Sequence, residues 1–262
     1  MRDLIDLETY PIDRPESEAY TALVKRCRVD LANGGMFNLA GFLKPEAIQQ
    51  AVTEVAPVLA TDAFRHHRRH NIFFKDEVPG LAADHPAMRE FESINHTICA
   101  DQIDGSVVTT IYQYPPLLRF LADTMEKESL HTMDDPLASV NVMATRDGEG
   151  LCWHFDQSEF TTTLMLQASE EGGDLEYCSE LRSADDPNLD GIVRLVNGDN
   201  SANKFCTPTP GTLNVFRGVN TPHRVTTVGG SRDRIMTVLC YYEQSGVSFS
   251  DEMRVGFYGR AS

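Results

Sequence analysis

An imidazole and a carboxylate stand two residues apart at His154 and Asp156. On an extended strand, residues i and i+2 project from the same face, so both side chains can reach one metal ion. The pair alone carries little weight, because 39 acidic residues and eight histidines make such a spacing expected by chance. The surrounding sequence has to decide between a metal site and a coincidence.

A distant histidine completes a recognisable ligand set. His223 follows a Pro-Gly turn at 210–211 and a strand-like segment at 212–216, while the first pair lies between the strand-like segments 140–143 and 160–166. Two imidazoles and one carboxylate on one face of a metal leave the open positions that Fe(II) needs to take an oxoacid and O₂ together. The predicted iron ligands are His154, Asp156 and His223.

Two arginines follow His223, nine and eleven residues further along the chain. Arg232 and Arg234 precede or begin an apolar run, 234–242, that is typical of a buried strand. A guanidinium matches a carboxylate with two parallel hydrogen bonds and stays charged when desolvated, so it suits the distal carboxylate of 2-oxoglutarate. Arg234 is favoured because it begins the apolar run, and Arg232 is the reserve. A zinc hydrolase would leave this arginine unexplained, whereas a solvated arginine at a strand start is the alternative without function.

The elements around these residues fall into two groups. From about residue 138, apolar residues alternate at period two and are separated by Gly, Pro, Asp and Asn, which indicates short antiparallel strands. Before that point the chain is predicted to be mainly helical, with a short strand at 36–43. The predicted helices are 16–31, 45–64, a stretch from about 86 to 98, and 117–125. The fold class is therefore α+β, an antiparallel sandwich or barrel with N-terminal helices packed on one sheet.

Length and charge limit the remaining choices. The 262 residues are expected to form a single domain, with 1–135 the mainly helical part and 136–262 the catalytic core. The formal charge of −16 disfavours nucleic acid and anionic membrane as partners and favours a small-molecule substrate. No apolar run approaches the roughly 18 residues of a spanning helix, so a cytoplasmic location is expected. The oligomeric state stays open, a homodimer included.

Weaker candidates share the predicted cavity. Asn141 and Thr163 have the strand parity to point inward and donate hydrogen bonds to the oxoacid. The basic run 65–70, with Arg69, either binds a substrate carboxylate or is a solvated helix end. Tyr258 either covers the pocket as part of a lid or lies on an exposed or dimer-contacting tail.

The order of these features resembles the 2-oxoglutarate/Fe(II) dioxygenase superfamily over residues 138–243. The resemblance implies that the core is a double-stranded β-helix (jelly-roll), with N-terminal helices packed on one sheet. It also implies Fe(II) as cofactor and 2-oxoglutarate as co-substrate. Segments 172–177, 216–218, 223–226 and 257–260 are similar to a narrower group, the free-amino-acid chlorinases and their hydroxylase relatives.

The narrower resemblance bears on the reaction. In those chlorinases a small residue replaces the carboxylate ligand and vacates a position for chloride, whereas this chain keeps Asp156. The resemblance therefore implies hydroxylation of an unactivated C–H bond in a small polar substrate, for example a free amino acid such as lysine. Desaturation or cyclisation by the same cofactors, and a non-catalytic relative that binds metal or oxoacid, remain alternatives.

Overall fold

Two antiparallel sheets face each other in the computed structural model, which describes residues 1–262. The larger sheet has seven strands and the smaller has four, and a two-stranded ribbon lies apart from both. The strands are β1 (Met36–Leu39), β2 (Phe64–His70), β3 (Phe91–Cys99), β4 (His131–Thr132), β5 (Val140–Thr145), β6 (Leu151–His154), β7 (Thr161–Gln167), β8 (Leu175–Tyr177), β9 (Lys204–Cys206), β10 (Leu213–Phe216), β11 (His223–Val225), β12 (Arg234–Leu239) and β13 (Tyr241–Tyr242). The helices are α1 (Glu18–Gly34), α2 (Pro45–Thr61), α3 (Val107–Tyr112), α4 (Pro115–Met125), α5 (Leu189–Val196) and α6 (Asp251–Tyr258).

The strand order shows how the two sheets are connected. The larger sheet runs β1-β10-β7-β12-β5-β3-β2 and the smaller runs β6-β11-β8-β9. Along the chain, β5 to β12 alternate between the sheets except at β8 and β9, which are consecutive in the smaller one. The fold is thus a mixture of helices and antiparallel sheets, and the predicted strands at 140–143, 160–166 and 212–216 are confirmed as β5, β7 and β10.

The larger sheet separates helices α1 to α4 from the interior between the sheets. In β5, Val140 and Val142 belong to the main apolar core together with residues of α1 to α4. The intervening Asn141 and Met143 line the cavity between the sheets. This alternation follows from the period-two geometry of a strand, and it confirms the prediction that the N-terminal helices pack on one sheet.

Helix termini follow the local sequence signals. Ser17 caps α1 by accepting a hydrogen bond from the backbone N–H of Tyr20 (3.1 Å), and Gly35 ends it with φ of 73°. That left-handed conformation is accessible to glycine at little steric cost. Pro45 begins α2, where a missing N–H costs nothing. The helices predicted at 16–31, 45–64 and 117–125 are confirmed as α1, α2 and α4, with small shifts of the ends.

The helix predicted from about 86 to 98 is wrong. A short 3-10 turn occupies Pro86–Met88, and the rest is β3. The spacing of apolar residues by three and four was coincidental, because β3 lies between two partner strands, β5 and β2. Pairing on both edges outweighs a weak helical pattern. The stretch 1–135 therefore holds four helices, α1 to α4, but also the strands β1 to β4.

The basic run 65–70 is also a strand and not a helix end. It forms β2, the edge strand of the larger sheet, paired with β3 along its whole length. His66, Arg68 and His70 line the cavity, whereas Arg65 and Arg69 alternate with them. Charged side chains on an edge strand also discourage pairing with a second chain.

The C-terminal helix α6 is fastened to the core by a buried carboxylate. Asp135, whose side chain is fully buried, accepts hydrogen bonds from the backbone N–H groups of Leu137, Ala138 and Phe249. Nε of Arg254 in α6 donates to the same carboxylate at 3.0 Å. These hydrogen bonds hold the pKa of Asp135 below its ordinary value although burial opposes them.

None of the six helices combines the length and apolar composition that crossing a membrane requires.

Replacing Arg254 by methionine should lower the free energy of unfolding by about 1.5–3 kcal/mol, because a buried carboxylate loses a charged donor. Urea denaturation would measure this change. The control Arg260→Met removes a more exposed ion pair with Asp101 and should cost about 1 kcal/mol or less. Equal losses in the two variants would contradict the role assigned to Asp135.

Candidate metal centre

Three ligand atoms converge where β6 and β11 pair. His154 ends β6 and His223 begins β11, and the two residues are directly opposite each other. Their ring centroids are 4.2 Å apart, and Oδ1 of Asp156 lies 3.7 Å from Nε2 of each ring. All three ligand atoms lie within 4.8 Å of one another.

The backbone fixes the orientation of both imidazoles. Nδ1 of His154 lies 2.8 Å from the carbonyl oxygen of Cys152, and Nδ1 of His223 lies 3.0 Å from that of Thr221. A carbonyl oxygen only accepts, so each Nδ1 donates, and in the neutral form of each ring Nε2 is the nitrogen with the free lone pair. Burial, and then the neighbouring ring, hold the pKa of His154 well below its ordinary value, so its imidazole is neutral. Neutral rings with free Nε2 atoms are what a metal requires.

Asp156 is held in place by the loop that follows β6. Its backbone N–H donates to the carbonyl of Gly218 (3.1 Å), and the hydroxyl of Thr161 donates to Oδ2. This leaves Oδ1 facing the two imidazoles. A Cβ on Gly218 would lie 2.0 Å from Oδ2, so only glycine leaves space for the carboxylate. The intervening Phe155 is buried on the other side.

This donor set fits Fe(II). Two imidazole nitrogens and one carboxylate oxygen, from two paired strands and an adjoining loop, would hold a metal from one side, and the cavity lies next to them. Non-haem Fe(II) oxygenases use this ligand type and these open positions. The structure therefore brings together the three residues that the sequence proposed as ligands.

A cavity of about 570 Å³ opens beside the ligands and contains Arg234. Arg234 is 5 % exposed, and Nε donates to the carbonyl of Gly173 (2.8 Å), which is its one hydrogen bond within the chain. Burial lowers the pKa of this guanidinium to about 10, which still leaves it charged at neutral pH. A buried guanidinium without a carboxylate partner is costly unless a ligand supplies one.

Two predicted arginines lie elsewhere: Arg232, the reserve for the oxoacid, and Arg69, the candidate for a substrate carboxylate. Arg232 is exposed, with Nε donating to the carbonyl of Ala168 (2.8 Å). Arg69 also points outward, and its guanidinium pairs with Glu90 at 3.2 Å. Neither lines the cavity. Arg69 differs in parity from its inward-facing neighbours on β2, because alternate residues of a strand face opposite sides.

Three other predicted residues do line the cavity: Asn141, Thr163 and Tyr258. The amide of Asn141 donates to the carbonyl of Ala138 (2.9 Å), and Thr163 lies within 3.5 Å of Asn214. Tyr258, at the end of α6, is 6 % exposed, so it is not on an exposed tail.

The sequence did not single out Arg68 and Phe74, which also face the cavity. The Phe74 ring stacks on His70 (4.1 Å) and lies 5.3 Å from the ring of His154. Its φ of 52° is a conformation that bulky residues seldom adopt and that clusters at functional sites. Only the strand parity of β2 could have pointed to Arg68, and that required recognising β2 as a strand.

A model of the family described as halogenase D matches residues 20–253 of this chain. A search of curated protein sequences found no match.

Solved structures with a similar fold are oxygenases of low sequence identity. The non-haem α-ketoglutarate-dependent epimerase SnoN from nogalamycin biosynthesis has a TM-score of 0.59 and 13% identity, covering 84% of this chain and 81% of SnoN. An oxidoreductase of the 2OG-Fe(II) oxygenase family from Burkholderia pseudomallei has a TM-score of 0.52 and 15% identity, covering 86% and 92%. A Pseudomonas putida prolyl-4-hydroxylase has a TM-score of 0.52 and 15% identity, covering 82% and 97%. The fold is therefore that of the 2-oxoglutarate/Fe(II) oxygenases.

Replacing Gly218 by alanine should weaken metal binding by tenfold or more, on the order of other losses of ligand support. The new Cβ takes the space of the Asp156 carboxylate. Anaerobic equilibrium dialysis against increasing concentrations of Fe(II) would measure the dissociation constant of the metal. Gly34→Ala is the matched control, because a Cβ there meets nothing within 4 Å. Unchanged affinity in Gly218→Ala would show that Asp156 does not need its present position.

Proposed function

This chain belongs to the halogenase D family, and from that membership and its metal centre we propose that it is an Fe(II)- and 2-oxoglutarate-dependent hydroxylase of a small polar substrate, a free amino acid being the favoured class. The ordinary balance of such a reaction converts R–H, O₂ and 2-oxoglutarate into R–OH, succinate and CO₂.

The observation that carries the proposal is the carboxylate of Asp156 at the metal centre. In the chlorinases that the sequence resembles, a small residue at this place leaves a coordination position for chloride. Here Oδ1 of Asp156 lies 3.7 Å from Nε2 of both imidazoles. The loop after β6 and the missing side chain at Gly218 leave a fixed space for this carboxylate. A third protein ligand favours hydroxylation over halogenation despite the name of the family.

Each site residue has a separate task. His154, Asp156 and His223 would hold Fe(II), which with 2-oxoglutarate and O₂ supplies the oxidant for the C–H bond. Arg234 would bind the distal carboxylate of the co-substrate with two charge-assisted hydrogen bonds and so orient its other end toward the metal. Asn141 and Thr163 would add hydrogen bonds along the same wall. The apolar cavity residues Met236, Val238 and Phe216 would restrict water.

The remaining assignments concern architecture. The alternation of β5 to β12 between two sheets supports a double-stranded β-helix as the catalytic core. Because β1, β2 and β3 join the larger sheet of that core, the 262 residues are proposed to form one catalytic domain.

Anaerobic addition of Fe(II) and 2-oxoglutarate to the protein tests the proposed function directly. Chelation should produce a weak visible charge-transfer band, and O₂ should then yield succinate, more rapidly with some members of a panel of free amino acids. The absence of the band would refute the proposal, and activity supported by Zn(II) alone would also refute it.

Asp156→Gly should abolish hydroxylation, with a loss of at least about a hundredfold on the scale of a removed ligand, while His154 and His223 retain weakened iron binding. Mass spectrometry of products, with and without chloride, would measure this loss and would reveal any chlorinated product. His223→Ala is the comparison variant and should lose the metal. Normal hydroxylation by Asp156→Gly would show that the carboxylate is not a ligand.

Arg234→Met should raise the 2-oxoglutarate concentration needed for half-maximal band intensity by about tenfold to a hundredfold, since two hydrogen bonds to a charged group are lost. Fe(II) affinity without co-substrate should stay unchanged. Arg232→Met is the matched control and should resemble the wild type, because Arg232 binds backbone carbonyls at the surface. A larger effect at Arg232 would reverse the assignment.

A further inference from the structure

A second guanidinium faces the catalytic cavity from the edge strand β2. Arg68 is half-buried between two aromatic rings, with Cζ 5.9 Å from the Phe74 centroid and 5.3 Å from that of Phe257. Nη2 donates to the carbonyl of Gly256 in α6 (2.7 Å), which is its one hydrogen bond within the chain. The stacking and this bond hold the guanidinium in one orientation and leave its other donors free.

No carboxylate neutralises Arg68, although the chain has 39 acidic residues. Burial lowers the pKa of this guanidinium from its ordinary value, but an arginine keeps its proton at neutral pH. The neighbouring His66 adds no charge, because burial lowers its pKa to about 4. Arg68 is thus the permanent positive charge on this wall of the cavity.

Arg68 is close to the metal centre but distant from Arg234. The Phe74 ring is near both groups: its centroid lies 5.9 Å from Cζ of Arg68 and 5.3 Å from the centroid of the His154 ring. In the larger sheet, the order β12-β5-β3-β2 separates the strands of Arg234 and Arg68 by three strand spacings, roughly 14 Å. One oxoacid held by Arg234 cannot also neutralise Arg68.

The cavity offers no partner for a cationic substrate side chain. Among its lining residues, Asp156 is the one carboxylate, and it is the proposed iron ligand. Neutral polar groups of β3 (Ser93, Asn95 and Thr97) and apolar groups of α6 make up much of the wall near Arg68. A lysine side-chain ammonium placed there would be desolvated without a counter-charge, which is costly. The α-ammonium of an amino acid differs, because its own carboxylate lies beside it.

We propose that Arg68 is a specificity-determining residue that binds the carboxylate of the substrate. The substrate is then a small carboxylic acid, such as an amino acid, whose side chain is uncharged. This inference rests on the proposed function and narrows its substrate class, since it argues against lysine. With the carboxylate on Arg68, the uncharged side chain extends past Phe74 toward the metal, where the C–H bond is attacked.

Matched pairs of acids and amides test the proposal in the wild-type protein. The protein, with Fe(II) and 2-oxoglutarate bound anaerobically, is titrated with uncharged amino acids, with their primary amides, and with lysine, while the charge-transfer band is monitored. At least one uncharged amino acid should perturb the band at a concentration at least about tenfold lower than its amide, the scale of one charge-assisted interaction. Lysine should bind less well than the best uncharged amino acid.

Variants assign the effect to Arg68. Arg68→Gln should abolish the preference for acid over amide and weaken acid binding by about tenfold to a hundredfold, while the affinity for 2-oxoglutarate stays unchanged. Arg68→Lys should retain part of the preference, and Arg69→Gln, the neighbour that points outward, should behave as wild type. The unchanged 2-oxoglutarate affinity shows that the variant is folded, and the comparison of acid with amide in the wild type needs no variant.

Four outcomes would overturn the inference: equal binding of acids and amides, tightest binding of lysine, full preference in Arg68→Gln, or no response to any amino acid while the band is present. A missing band in the wild type would instead refute the proposed function, so the two failures are distinguishable.

Discussion

The antiparallel pairing of β6 with β11 is the constraint on which the metal centre depends. His154 and His223 stand opposite each other in this pair, and the register shifts just beyond them. A slip of one residue would turn one imidazole to the other face of the smaller sheet and destroy the centre. The same backbone supplies the carbonyls of Cys152 and Thr221 that orient the rings. Strand register therefore fixes both the position and the tautomer of the ligands.

The third ligand depends on the loop next to this pair. Asp156 lies beyond the end of β6, and its carboxylate occupies space that a side chain at position 218 would fill. The hydroxyl of Thr161 engages the oxygen that faces away from the imidazoles. The position of this carboxylate thus depends on three chain segments. Under the proposed function, this carboxylate and not the family name decides between hydroxylation and halogenation.

The net charge of the molecule and the charges inside the cavity favour substrates of different charge. The formal charge of −16 is compatible with a cationic substrate. The cavity, however, contains the guanidinium groups of Arg234 and Arg68 and one carboxylate, that of Asp156. Short-range interactions inside a low-dielectric cavity outweigh the screened field of surface carboxylates. The proposal for the substrate therefore rests on the local charges of the cavity rather than on the net charge.

The sequence by itself determined those parts whose signal is local. Helices α1, α2 and α4 follow from their caps, prolines and apolar stripes, and β5, β7 and β10 follow from alternation at period two. The proposed ligand set follows from residue type and order along the chain, and the choice of Arg234 follows from its place at the start of an apolar run.

Only the tertiary structure decided what β2 and β3 would be. The charged run 65–70 has no apolar alternation, and its extended conformation comes from hydrogen bonds to β3, which is itself paired with β5. Without that pairing, nothing distinguished Arg68, which faces the cavity, from Arg69, which faces outward. Nor could the sequence show that Gly218 approaches Asp156 or that Arg232 binds surface carbonyls. These contacts join residues distant in the chain, so their energies depend on the packing of the folded molecule rather than on local sequence preference.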